Sequence, residues 1–218
     1  MMKQVLIFAN GDPNDGPMVQ KALAVAAESH VIAADGGARL ARQLGCMVDT
    51  IIGDMDSVDS GELHELDADL VEILRYPPAK DETDLELALN YAVRLDADWI
   101  RIIGAIGDRL DQTLSNVYLM ALPGLRGRDV RLVSGGQEAY LLFPGQWELE
   151  GAAGDTISLV PLGGAVEGIV TEHLRYPLQG ETLVFGPARG VSNVMLTEVA
   201  RVSFSAGMLL VVHTIGRA

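Results

Sequence analysis

Aspartates recur immediately after short apolar runs. VIAA is followed by Asp35-Gly36-Gly37, TIIG by Asp54-Met55-Asp56-Ser57, and RIIGA by Ile106-Gly107-Asp108-Arg109-Leu110-Asp111. The first apolar run closes on Asn10-Gly11-Asp12. Asp54 and Asp56 stand two residues apart, a spacing that in extended chain turns both side chains to one side. Like charges held so close raise each other's energy unless a cation sits between them. Magnesium fits that need, because it takes hard oxygen ligands and usually combines one or two carboxylates with substrate phosphates. Gly36 and Gly37 precede a helix, so a phosphate could approach backbone N–H groups there. Lys80-Asp81-Glu82-Thr83-Asp84 opens another helix and brings Asp84 to the same rim; Lys80 and Arg109 are scarce cations suited to phosphate contact. Any single aspartate could equally cap a helix, and either cation could serve a surface ion pair. Acids shared among three run ends are what argue for a site.

The elements that must position these residues alternate. Over the first 134 residues, apolar β-branched runs at 4–9, 31–34, 50–53, 70–74, 99–104 and 130–133 are separated by helical patterns at 18–28, 38–44, 83–94 and 111–120. That is the pattern of a parallel sheet covered by helices, a Rossmann-like α/β domain, in which ligands bind beyond the carboxyl ends of the strands. The helix at 83–94 is the best marked, with Thr83 and Glu86 spaced as a capping box and Leu85, Ala88, Leu89 and Ala92 on one face. From Gly135 the texture changes to short alternating strands broken by Gly and Pro: EAYLLF, QWELE, DTISLVPL, AVEGIVT, ETLVFG, ARVSFS and MLLVVHT. These predict a small all-β sandwich or barrel. The expected domains are therefore 1–134 and 135–218.

Composition removes other classes. A formal charge of -14, from 30 acidic and 16 basic residues, disfavours nucleic acid and anionic membrane as partners. A phosphate-handling protein of this charge must recruit cations to its site. The single cysteine, Cys46, allows neither an internal disulfide nor a cysteine zinc site, which fits a reducing cytoplasm. The opening MMKQVLIFANGD reads as a first strand rather than a signal peptide, and no apolar run is long enough to span a bilayer. His30, His64, His173 and His213 lack metal-ligand spacing and read as structural or surface residues. Neither a GxxxxGK[ST] loop nor a GxGxxG fingerprint is present, and no GxSxG elbow supports a serine nucleophile.

Taken in order, ADGGA (34–38), IGDMDS (52–57), KDETD (80–84), GAIGDRLDQTLSN (104–116), GDTISLVPL (154–162), LRYPL (174–178), GVSN (190–193) and VSFSAGMLLVV (202–212) resemble the motifs of thiamine pyrophosphokinases over nearly the whole chain. The resemblance implies transfer of a pyrophosphoryl group from Mg-ATP to the thiamine hydroxyl, giving thiamine diphosphate and AMP. It implies that Asp35, Asp54, Asp56 and Asp84 hold Mg²⁺ and orient the reactants, and that Arg109 and Asp111 help bind ATP, to which the residue chemistry above adds Lys80, Gly36 and Gly37. It sets Ser192 and Asn193 near thiamine, with Asp84 also facing that substrate, in a homodimer carrying thiamine near the subunit interface. The chain departs from the family at Asp108, where many members have glycine, and at Gln112, where many bacterial members have histidine. The segment after GVSN holds no tryptophan, which leaves the stacking partner of the thiamine pyrimidine open. Three alternatives remain at this point: a pyrophosphokinase acting on a hydroxymethyl-pterin, a nucleotide-binding protein without turnover and, more weakly, a metal-dependent phosphohydrolase.

Overall fold

The structure is a computed structural model, and it describes residues 3–55 and 71–216. Asp56, Ser57 and His64 lie outside the described residues, as does Leu70 at the start of one expected strand. The chain forms two compact units, Met1–Gly135 and Gly136–Ala218.

The first unit is α/β. Strands β1 (Gln4–Phe8), β2 (His30–Ala34), β3 (Thr50–Gly53), β4 (Glu72–Arg75), β5 (Trp99–Ile103) and β6 (Asp129–Ser134) run parallel in the order β6-β5-β1-β2-β3-β4. Ile7 pairs with Ile32 on one side and Ile102 on the other, so apolar residues stack across the middle of the sheet. Val5 to Phe8 are all fully buried, as are Ile51, Ile52, Ile100 and Ile102. The unbroken apolar run of β1 follows from that, because a sheet covered on both faces has no wet side to alternate toward, while β5 carries one buried charge, Arg101.

Helices span Pro17–Leu23, Gly37–Gln43, Asp84–Arg94 and Leu110–Leu119. Thr83 caps the third, its Oγ1 accepting the Glu86 N–H at 3.2 Å, and Leu85, Leu87, Ala88, Leu89 and Ala92 form its buried face. The helix expected over 18–28 is shorter. It ends at Leu23, where the buried face made by Met18, Val19 and Ala22 ends, and only a 3₁₀ turn at Ala26–Glu28 follows. Helix propensity alone would have carried it on; packing decides its length. The expected strand at 70–74 is also shifted, to Glu72–Arg75 at the sheet edge.

The second unit is all β. Strands β7 (Gln137–Leu142), β9 (Thr156–Pro161), β12 (Asn193–Val194) and β14 (Leu209–Thr214) form an antiparallel sheet in the order β12-β9-β14-β7. A separate antiparallel sheet takes β8 (Gly145–Glu150), β10 (Val166–Glu172), β11 (Gln179–Leu183) and β13 (Val199–Phe204) in the order β11-β10-β13-β8. Here burial alternates: Ile157, Leu159 and Pro161 of β9 are buried while their neighbours are half-buried. Residues of both sheets, among them Tyr140, Leu149, Ile169, Val202 and Val211, share one buried cluster. The strand expected at 181–186 instead covers Gln179–Leu183, leaving Val184 and Phe185 exposed. β12 escaped expectation because two residues are too few to show a period. No helix among the described residues is long and apolar enough to cross a membrane.

Candidate active site

Parallel strands deliver their following residues to one rim, and that rim is acidic. Asp35 follows β2, Asp54 follows β3, and Asp84 is the first residue of the helix Asp84–Arg94. Carboxylate oxygens of the three lie within 4.8 Å of one another. Asp35 is buried, adopts a left-handed φ of 45°, and its Oδ1 has no hydrogen-bond partner among the described residues. A buried unbonded carboxylate oxygen is costly, and a strained backbone is kept only where its surroundings impose it. Gly53 makes the approach possible. A Cβ there would lie 3.0 Å from the Asp35 Cβ and 3.2 Å from the Asp84 Oδ1. This donor set suits a hard divalent cation.

One cation of the chain already faces the trio. Lys80 Nζ lies 2.9 Å from Asp84 Oδ1. Burial pushes the Asp84 carboxyl above the usual carboxylate range; Lys80 pulls the other way, and the charges of Asp35 and Asp54 add to the rise. Burial disfavours the charge on Lys80, but Asp84, Asp54 and Asp35 outweigh it and hold the ammonium above its ordinary value. An isolated ion pair would lower its acid. Both groups rise here, Asp84 chiefly through burial and Lys80 because three carboxylates face one ammonium.

A cleft of about 580 Å³ opens beside these acids within the first unit, and Asp35, Lys80, Asp84 and Arg109 line it. Its far wall comes from the loops after β1 and β5, which are laced together by Gly11 N–H to Gly104 O at 2.7 Å and Asp12 N–H to Ile106 O at 3.2 Å. Gly11 must be glycine, since a Cβ there would strike the Gly104 carbonyl. The helix Leu110–Leu119 shapes the second loop: Asn116 Nδ2 donates to Ala105 O at 2.7 Å, and Thr113 Oγ1 accepts the Gly107 N–H at 3.3 Å. Arg109 is exposed at the mouth, gripped by both oxygens of Asp111 at 2.9 and 2.6 Å, and this pairing holds the Asp111 carboxyl down to about 2.

The residues singled out from sequence fall in several places. Asp35, Asp54 and Asp84 are brought together, with Lys80 on Asp84. Arg109 reaches the cleft, and Asp111 meets it only through Arg109. Gly36 and Gly37 do not line the cleft: they are buried, and a Cβ would strike the Asn10 side chain from Gly36 and the Phe8 carbonyl from Gly37. Their smallness serves the packing of a helix start against β1. Met55 has a left-handed φ of 66°, so the chain leaving Asp54 is not the extended run that the two-residue spacing presumes. Asp56 itself lies outside the described residues. Asp12, Asn116 and Thr113 were missed. Asn10-Gly11-Asp12 was visible as a strand end, and Thr113 and Asn116 lie three apart on one helix face within the motif at 104–116, where nothing marked them individually.

In the second unit, Ser192 is exposed with a left-handed φ of 61°, and its N–H donates to Ser158 Oγ at 3.1 Å. Asn193 is buried and its amide is bonded through both polar atoms: Oδ1 accepts the Tyr176 and Val194 N–H groups, both at 2.9 Å, while Nδ2 donates to Tyr176 O at 2.7 Å. Asn193 therefore fixes the backbone of Tyr176, a residue that is 63% exposed.

Comparison with known proteins gives a consistent result. The family model described as "Thiamin pyrophosphokinase, catalytic domain" matches residues 22–132, and that described as "Thiamin pyrophosphokinase, vitamin B1 binding domain" matches residues 146–209. A thiamine pyrophosphokinase of Bacillus subtilis is 26% identical over 216 residues, covering 98% of this chain and 99% of the relative. The crystal structure of thiamine pyrophosphokinase from Bacillus subtilis superposes with a TM-score of 0.86 at 25% identity, covering 98% of this chain and 99% of that one. The yeast thiamin pyrophosphokinase structure, at 14% identity and a TM-score of 0.81 over 99% of this chain and 87% of that one, shares the fold.

Proposed function

The chain belongs to the thiamin pyrophosphokinase family, and on that premise we propose how its residues divide the work of moving a pyrophosphoryl group from ATP to the thiamine hydroxyl. The products are thiamine diphosphate and AMP, and neither the pterin reading nor the turnover-free binding protein is favoured. One observation carries the assignment of the site: three carboxylates from separate elements within 4.8 Å, one with a buried unbonded oxygen.

Asp35, Asp54 and Asp84 hold Mg²⁺, joined by Asp56 on the strength of the IGDMDS motif. The bound metal supplies positive charge against the polyphosphate. Lys80 and Arg109 contact phosphate oxygens, and Asp111 acts by orienting the Arg109 fork. Asp84, a member of the acid cluster that also lines the cleft, faces the acceptor as well. Ser192 meets thiamine directly, whereas Asn193 serves by holding Tyr176, whose exposed ring offers the aromatic surface for the pyrimidine. In this reading the first unit is a Rossmann-like catalytic domain and the second a β-sandwich thiamine-binding domain. The enzyme works as a cytoplasmic homodimer with thiamine near the subunit interface, a state supported by exposed Leu110, Leu114 and Tyr118, four residues apart along one helix.

The deciding experiment incubates purified protein with thiamine and Mg-ATP and separates nucleotides and thiamine esters. AMP and thiamine diphosphate in equal amounts are expected, with no free thiamine monophosphate and no product after chelation. ADP would refute the transfer chemistry. AMP formed only with a hydroxymethyl-pterin would refute the acceptor, and no product with either would revive the binding protein.

A further inference from the structure

We propose that Lys80 is a displaceable internal counter-ion: it occupies Asp84 until a divalent cation enters the acid cluster, and is then released toward the polyphosphate. The inference rests on the reading of Asp35, Asp54 and Asp84 as the metal site. Three observations carry it. First, the Asp84 oxygen that Lys80 holds at 2.9 Å is Oδ1, the same oxygen that faces the end of β3, 3.2 Å from where a Gly53 Cβ would stand. A metal drawing on that oxygen and an ammonium already on it would be two cations in contact, which repel strongly at a site shielded from water. Second, the Lys80 side chain is only 11% exposed, yet it lines the cleft, so leaving Asp84 moves it along the wall of the space a polyphosphate would fill. Third, the other cation at the cleft, Arg109, is clamped by Asp111 through two bonds and is not on the acid cluster. A compact ammonium on a four-carbon stem can exchange partners in a way that a planar, doubly bonded guanidinium cannot. Lys80 thereby limits repulsion within the cluster before the metal arrives, and supplies a phosphate contact afterwards.

The test is metal binding by nucleotide-free protein, followed by calorimetric titration with Mn²⁺. Removing the competing ammonium in Lys80→Met should tighten Mn²⁺ about tenfold, the change worth roughly 1.4 kcal/mol, while Asp84→Asn should weaken it. A lysine with a purely structural role would lower the thermal midpoint on removal without tightening the metal. Unchanged or weaker Mn²⁺ binding by folded Lys80→Met, with wild type binding normally, overturns the proposal and leaves the metal site standing. No Mn²⁺ binding by either protein overturns both. Should Lys80→Met not fold, Lys80→Gln serves the same comparison. The wild-type protein gives an independent readout: acylation of Lys80 by an amine-reactive ester, mapped by mass spectrometry, should rise severalfold when Mn²⁺ saturates the site without nucleotide. Equal reactivity with and without the ion also overturns the proposal.

Discussion

Two buried aspartates, one in each unit, are bonded in opposite ways. Asp35 in the α/β unit is 7% exposed and its Oδ1 has no hydrogen-bond partner. Asp155 in the β unit is 4% exposed and accepts from Ala152 N–H at 2.9 Å, from Gly216 N–H at 2.7 Å and from His213 Nε2 at 2.8 Å. Burial is the same, so burial does not distinguish their roles; satisfaction does. Burial would raise Asp155, but hydrogen bonds and the His213 charge hold it below the usual carboxylate range, and the residue ties Gly216 to the turn at Ala152. Asp35 has negative neighbours instead, and nothing among the described residues completes its Oδ1. A buried acid that the fold satisfies belongs to the fold, whereas one left open beside other acids is reserved for a ligand.

Substitutions can break this contrast. The largest effect is expected on turnover: Asp35→Asn and Asp54→Asn should each lower it about a hundredfold or more, by weakening metal and phosphate binding. Relief of repulsion should leave the thermal midpoint of Asp35→Asn unchanged or raise it by roughly 2–4 °C, the shift that about 1 kcal/mol produces in a chain of this size. Steady-state assays and thermal melts on the same preparations check both halves, and a destabilised Asp35→Asn with full activity would erase the distinction. Asp155→Ala should do the opposite. Losing three bonds and stranding His213 should cost about 3 kcal/mol, read by urea unfolding, with the remaining folded protein retaining most of its metal affinity.

The smallest effect sharpens the comparison through pH. Burial works against a charge on His213, but Glu138 and Asp155 outweigh it and raise the imidazole above its ordinary 6.5. A raised folded-state value means that the contribution to stability is fully present below pH 6.5 and is lost as pH rises through the folded value. Asp155, held below its ordinary 3.8, contributes above that pH and loses its contribution as pH falls. Stability of the β unit should therefore be greatest between about pH 4 and 6.5 and decline on the alkaline side. Melting temperatures measured across pH 5 to 9 should show the decline in wild type and a flatter profile in His213→Gln; identical slopes would disprove the linkage.

Local patterns were legible in the sequence wherever one element carries the whole signal. The nearly unbroken apolar runs of β1 and β2 mark strands buried on both faces, and β9 alternates because only one face of its sheet is fully buried. Thr83 marks its helix start through a contact only three residues long. Element ends were less legible, since the helix after Gly16 stops where its packed face stops and not where propensity falls. The role of individual residues was least legible of all. Gly36 and Gly37 look like phosphate-loop glycines in sequence, yet the side chain of Asn10 and the carbonyl of Phe8 are what require them to be small.

The sequence by itself therefore determined the alternation of elements, the acidic strand ends and the ordered motifs of the family, because each is written in residues close together along the chain. Only the tertiary structure decided which acids meet. Asp35, Asp54 and Asp84 converge because parallel pairing brings the ends of β2 and β3 together and the absent Cβ of Gly53 lets Asp84 close over them. The same is true of what each buried polar group is bonded to: Asp155 and His213 are 58 residues apart, and no local pattern couples them. Contacts of that range are fixed by the packing of whole elements, which is the level at which a satisfied aspartate becomes distinguishable from one left open for a cation.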